Sequence, residues 1–251
     1  MLKRIIPVLL LSGRGLVKTQ RFHNPKYIGD PINAVKIFSE KEADELVFLD
    51  IQASRKNQAP DFNLIKDIAS EAYMPFSYGG GINSLGYAEK ILKNGAEKIV
   101  LNNVLLSNPG LASEMILEFG ASSVVACVDV KKNIFGKYRV YSYVQEKTID
   151  MDFGDYLKMC EDIGFGEIII QSVDLDGFMK GYDKDLILKA RENISAPLVA
   201  LGSAGSLEDM RDILNIGADA AAAGSLFTFY GKYRAVLITY PNYNEIREML
   251  K

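Results

Sequence analysis

Short apolar runs alternate with amphipathic stretches along the whole chain. The runs at residues 5–10, 45–50, 75–78, 98–101, 123–129, 167–173, 197–201 and 218–223 predict strands. They are nearly continuously apolar, as parallel strands are when helices cover them. Between them, helical spacing predicts helices over residues 31–42, 62–72, 84–94, 109–119, 152–163, 183–193, 206–216 and 242–250. Ser84, Asn108, Asp152, Asp183 and Ser206 stand where N-caps are expected. Strand and helix in eightfold alternation predict a single (β/α)8 TIM barrel, a fold of about 250 residues, and this chain has 251. An open doubly wound sheet is the alternative, which eight strands in this length disfavour.

An internal repeat divides that barrel. PFSYGGGINSLGYAEKILKNGAEKIVLNNVL, from Pro75, aligns without gaps to PLVALGSAGSLEDMRDILNIGADAAAAGSLF, from Pro197. Gly80 pairs with Gly202, Asn103 with Ser225 and, at the same offset, Glu45 with Glu167. Two half-barrels, about 1–121 and 122–251, account for this. A ligand group held by one half is then expected to have a similar counterpart held across the rim by the other.

Two segments fall outside the repeat. Residues 131–150, with Tyr and Val alternating around Phe135-Gly136-Lys137, read as a hairpin inserted after the fifth strand. Residues 12–31 read as a long loop over the active-site face, and the lone histidine, His23, lies in it.

Composition narrows the function classes. The chain is 48% hydrophobic and 24% charged, with a net charge of −3 and no basic cluster. This argues against nucleic acid or a membrane face as partner. Cys127 and Cys160 sit in apolar patterns without metal spacing and read as buried thiols in a reducing, cytoplasmic setting. The opening MLKRIIPVLLLSGRG resembles a short signal peptide, but its apolar run is interrupted by Gly13 and Gly15, and it reads as a buried strand. No metal or cofactor is implied.

The candidate chemistry lies at strand ends. Gly79-Gly80-Gly81 follows the third strand and Gly202-Ser203-Ala204-Gly205 the seventh, each before a helix. Glycine lets backbone N–H groups approach an anion, and a helix N-terminus favours negative charge. Asn102-Asn103 and Gly224-Ser225 end the fourth and eighth strands beside these loops. Each half thus carries a phosphate cup, or merely a tight turn, and together they fit an elongated substrate phosphorylated at each end. Asp50, Asp129, Asp174 and Asp176 end or follow the second, fifth and sixth strands, where a carboxylate faces the mouth and does acid–base work, or caps a loop. Asp129 stands out, because it ends the apolar run VVACVD. Lys18 and Lys180 offset phosphate charge or are simply solvated. At the opposite end Arg4, Glu45, Lys98 and Glu167 begin the first, second, fourth and sixth strands. They can pair into a closed ring, which by physics alone reads as a structural plug.

With these residues the chain resembles the cyclase subunit of imidazole glycerol phosphate synthase, HisF. The resemblance runs from Lys3 to Phe227 and is carried by RIIP at 4–7, DELVFLDI at 44–51, GGGI at 79–82, the Asp129 strand, and DxDG followed by GYD at 174–183. It implies a glutaminase (HisH-like) partner at the barrel bottom, whose ammonia passes through the barrel to a phosphorylated small-molecule substrate at the top. Arg4, Glu45, Lys98 and Glu167 then correspond to the ammonia gate. Asp129 corresponds to one of two catalytic aspartates and Lys18 to a loop lysine. Gly81, Asn102, Gly177 and Ser225 match the phosphate cups, with Gly202 and Gly224 beside them. The chain departs from the pattern where Leu10 replaces the other catalytic aspartate, Asn103 a Thr, Ser203 a Gly, and Phe178 a Thr at the mouth. These departures point to a diverged synthase subunit, resembling WbuZ-like members that serve sugar amidation in surface-polysaccharide synthesis. A non-catalytic scaffold and a histidine-pathway bis-phosphate isomerase are the remaining alternatives.

Overall fold

The computed structural model describes residues 3–250. Eight parallel strands form its centre: β1 (Arg4–Ser12), β2 (Leu46–Asp50), β3 (Phe76–Gly79), β4 (Lys98–Leu101), β5 (Val124–Lys132), β6 (Glu167–Ser172), β7 (Leu198–Leu201) and β8 (Ala220–Ala223). Each pairs in parallel with the next, and β8 returns to β1 through Arg4↔Ala220 to Pro7↔Ala223, so the sheet closes. The chain is therefore a (β/α)8 barrel. The outermost residues, 1, 2 and 251, lie outside the described ones.

The apolar strands are split by the two-residue period of the pleat. In β1, Ile6, Val8 and Leu10 point inward and pack with Val47, Val100, Val125, Ile169 and Val199. Ile5, Leu9 and Leu11 point outward into the layer beneath the helices, with Phe38, Phe48, Ile65 and Ile91. The helices begin where polar caps permit. Ser84, Asp152, Asp183 and Ser206 each accept a backbone N–H, and Ser206 with Asp209 completes a capping box. Asn108 differs from expectation, since its side chain makes no cap bond. Pro109 starts that helix instead, its fixed φ suiting the first turn.

The long loop expected over residues 12–31 is a hairpin. Strand Gly15–Gln20 runs antiparallel to β1 and pairs with strand His23–Gly29. Leu16 and Val17 are buried, which supplies the apolar anchor that makes this segment a strand rather than a loop. Its tip, Arg21-Phe22, takes positive φ at both residues. The insertion after the fifth strand is the expected hairpin, in which β5 runs on to Lys132 and pairs with Tyr138–Ser142, which pairs with Lys147–Asp152. Both hairpins rise from the C-terminal ends of their strands. Cys127 and Cys160 are buried free thiols. Among the described residues no helix is long and apolar enough to cross a membrane.

Candidate active site

Two adjoining cavities open where the strands end. The larger, about 170 Å³, is lined by Asp50, Gly81, Asn102, Asn103 and Asp129. The smaller, about 20 Å³, is lined by Lys18, Asp176, Gly177, Gly202, Ser203, Gly224 and Ser225. Leu10, Thr19 and Gln171 line both and form the wall between them. Of the strand-end candidates, those of the Gly81 and Asn102-Asn103 turns thus line the larger cavity and those of the Gly202-Ser203 and Gly224-Ser225 turns the smaller, while Asp174 lines neither.

Backbone conformation explains the glycines. Gly81 has φ +71°, and a Cβ there would meet Gln58 O at 2.7 Å. At Gly177, φ +79°, a Cβ would collide with Thr19 O in the hairpin. Ser203 keeps φ +75°, a left-handed conformation costly for a side-chain-bearing residue. Its Oγ accepts the Lys180 N–H at 3.0 Å, and its carbonyl accepts that of Gly181 at 2.8 Å. The serine therefore ties the two loops of the small cavity together.

Asp129 is buried, and its Oδ2 accepts from Asn102 Nδ2 at 3.0 Å. The same amide reaches Cys127 O at 2.9 Å. Burial pushes the Asp129 carboxyl up to about 7; the Asn102 hydrogen bond opposes this, and the negative charge of Asp176 adds to it. A carboxyl in that range can both give and take a proton near neutrality. Asp176 is raised as well, chiefly by burial, against the Thr19 hydroxyl at 3.0 Å and the positive charge of Lys18.

Five residues that the sequence singled out sit differently from the rest. Asp50 Oδ1 accepts the backbone N–H of Gln52 (2.8 Å) and Ala53 (3.1 Å), so this carboxylate caps its own loop. Asp174 accepts Lys132 N at 2.8 Å and fastens the end of β5. Lys18 is 6% exposed rather than solvated, and its Nζ donates to Val8 O at 2.6 Å. Burial lowers its ammonium to about 8, against the attraction of Asp176. His23 is exposed on the hairpin and lines neither cavity. Phe178 lines neither cavity, because its ring lies under the Arg21 guanidinium at 5.1 Å.

At the other end the four charges close a ring. Arg4 pairs with Glu45 at 2.6 Å and with Glu167, and Lys98 pairs with Glu45 at 2.9 Å and Glu167 at 3.2 Å. Ser77 Oγ donates to Glu45 at 3.1 Å. Burial alone would weaken the Arg4 guanidinium as a base, but Glu167 and Glu45 more than offset this and hold its pKa above the ordinary value. Between ring and mouth lies an apolar layer of Ile6, Val8, Val47, Val100, Val125, Ile169 and Val199.

This arrangement can be set beside known proteins. The family described as Histidine biosynthesis protein matches residues 4–234. The chain belongs to that family. It is 45% identical over 97% of its length to a Pseudomonas aeruginosa protein provisionally named imidazole glycerol phosphate synthase subunit hisF2, 98% of which is covered. A Leptospira interrogans protein, provisionally named subunit HisF of that synthase, is 47% identical, with 95% of each chain covered. Imidazole glycerol phosphate synthase subunit HisF of Petrotoga mobilis is 37% identical, over 93% of this chain and 92% of its own.

In this member of the histidine biosynthesis family, sequence reasoning did not single out Thr19, Gln171 and Ser54. Gln171 carried a signal, being polar within the apolar strand IIIQS, much as Asp129 is in VVACVD. Ser54 Oγ accepts the Gly81 N–H at 3.1 Å and carried none. Phe22 and Tyr143 roof the larger cavity, edge to face with centroids 5.6 Å apart, and Arg55 stacks on Tyr143 at 4.8 Å.

Proposed function

We propose that the chain is the synthase subunit of a glutamine amidotransferase complex, using ammonia on a phosphorylated substrate at the mouth. Ammonia enters past the ring of Arg4, Glu45, Lys98 and Glu167 from a glutaminase subunit docked at that end, and crosses the apolar interior as the neutral molecule. The loops at Gly81, Asn103 and Ser54 hold one phosphate, and those at Gly177, Gly202, Gly224 and Ser225 hold the other. Asn102 serves by fixing Asp129. Asp129 moves the proton on the side of the larger cavity, and Asp176 lies nearest on the other side. The observation that carries this reading is the opposition of ring and mouth: a closed charged ring at one end, two cavities that carry Asp129, Lys18 and Asp176 at the other, and the apolar layer of Ile6, Val8, Val47, Val100, Val125, Ile169 and Val199 between.

The test is coupling. The chain and its glutaminase are co-expressed, and size-exclusion chromatography is followed by a glutaminase assay. A complex with altered glutaminase activity is expected. Failure to form one, with glutaminase activity unchanged, overturns the proposal. One residue favours a second reading, delivery of ammonia for sugar amidation. Leu10 cannot transfer a proton, and closing an imidazole ring needs proton transfer on both sides of the ligand.

A further inference from the structure

Lys18 is a buried cation that the proposed chemistry leaves without a task. It enters the small cavity from strand Gly15–Gln20, and Nζ makes its one hydrogen bond to Val8 O. Its surroundings supply few charges. From β1 it faces Val8 and Leu10, from β7 Leu201, and from the end of β8 Gly224 and Ser225, none of them ionisable. A Cβ on Gly224 would collide with Nζ, so that glycine makes the room the amine occupies. Across the hairpin its register partner Lys26 is exposed. The loop after β6 brings the one facing carboxylate, Asp176, already engaged by Thr19. Leu10, on the same cavity wall, offers no second counter-ion.

We infer that Lys18 is an imine-forming amine, condensing with the carbonyl carbon of an open-chain sugar phosphate whose phosphate sits in the larger cavity. This rests on the phosphate-cup part of the proposed function. Geometry favours it in three ways. The small cavity that Lys18 lines, about 20 Å³, has room for one carbonyl-sized group. The wall shared through Leu10, Thr19 and Gln171 lets a ligand span from the larger cavity to Nζ. A desolvated amine is the form that adds to carbonyls. Burial lowers the Lys18 ammonium to about 8, so about half is neutral at pH 8, against under roughly one per cent for an ordinary lysine.

The step balances without an oxidant. The Nζ lone pair forms the C–N bond, and the carbonyl π pair moves to oxygen, which takes up a proton to give the carbinolamine. The protons that Nζ loses reach that oxygen through solvent, with Asp176 as the facing carboxylate of the cavity. Water leaves as the C=N bond forms, so amine plus carbonyl gives imine plus water.

The test uses ribulose 5-phosphate with sodium cyanoborohydride, which reduces the imine to a stable secondary amine, followed by intact-mass analysis and peptide mapping. One reduced adduct on Lys18 is expected, with a labelling rate rising about tenfold or more from pH 6.5 to 8.5. Lys18→Arg, which keeps the charge, should abolish it. Leu10→Asp should slow it about tenfold or more by giving the ammonium a counter-ion. The pH dependence of the wild type serves alone should that variant fail to fold. Label spread over surface lysines and unchanged in Lys18→Arg overturns the inference, as does a Lys18 rate insensitive to both pH and Leu10→Asp. The phosphate reading fails separately. Equal labelling by ribulose with and without phosphate would remove the anchor and keep the imine. Inorganic phosphate detected in the larger cavity by 31P NMR, without any adduct, would do the reverse.

Discussion

Asn102 holds Asp129 by a single amide, which donates at once to the carboxylate and to Cys127 O, the carbonyl two residues earlier on the same strand. The acid is thereby oriented by its own strand, and of the two carboxylates among the described residues that line the larger cavity it is the one free of backbone caps, since Asp50 is taken up by Gln52 and Ala53.

That placement makes Asp129 a pH-dependent liability to stability. Burial raises its carboxyl from 3.8 to about 7. Below about pH 4 folded and unfolded chains both hold the proton, and the group contributes nothing. Between about pH 4 and 7 the unfolded chain releases the proton first, so stability falls as pH rises. Above pH 7 the full penalty remains, on the order of 4 kcal/mol. Asp129→Asn keeps shape and an acceptor for Asn102 but cannot ionise. Urea unfolding should show the variant gaining on wild type between pH 4.5 and 8. A difference that does not change with pH would contradict the assignment.

The ring at the other end predicts an asymmetry between two substrates. Glu167→Gln leaves Arg4 and Lys98 sharing one carboxylate, Glu45, in a largely buried cluster. Breaking such a cluster costs roughly 2–4 kcal/mol, a fall of about 4–16 °C in Tm for a chain this size. If the ring admits ammonia, the variant in complex should lose glutamine-driven turnover more than turnover driven by added ammonium salt. Equal loss of both would leave the ring a structural plug.

Much of this arrangement is legible in the residues. Strand 98–101 and helix 109–119 have the predicted limits, because each is an apolar run bounded by polar or breaking residues. Lys18 departs from the solvated alternative for a physical reason. A lysine at the end of a long loop is ordinarily solvated, and only the packing of Leu16 and Val17, which makes the segment a strand on β1, carries it under cover. Phe178 misled in the opposite sense. Its bulk is plain in the sequence, but the guanidinium that draws it aside comes from Arg21, far away along the chain. Gly224 gave no hint that its missing Cβ serves Lys18, because that requirement arises only where β1, β8 and the hairpin meet.

Lys18 and Gly224 should therefore behave as one unit. Gly224→Ala puts a methyl group where Nζ lies and must displace the amine from Val8 O, so about 1–3 kcal/mol of stability should be lost. Lys18→Met removes the ammonium and leaves a flexible end. In that background Gly224→Ala should cost less, with a coupling of roughly 1 kcal/mol or more in a double-mutant cycle. Additive costs would mean that the two do not touch in solution.

Leu10 is 9% exposed and stands in the wall common to both cavities, so it meets any ligand that spans them. Asp129 opens on the larger cavity alone. With histidine-pathway substrate and ammonium salt, which bypass glutaminase and ring, wild-type turnover should be about 10²-fold or more below that of a relative with aspartate at this position, the usual contribution of one acid–base group. Leu10→Asp supplies the missing carboxylate and should recover at least tenfold of that loss. The gain should carry a cost, because the new carboxylate is buried among Val8, Val17 and Leu201 and Lys18 offsets its charge only while protonated, so stability should fall as pH rises through the Lys18 pKa. A variant that is less stable but no more active would show that more than this residue separates the site from a cyclase. Wild-type turnover equal to the relative's would show that proton transfer on this side of the ligand does not need residue 10.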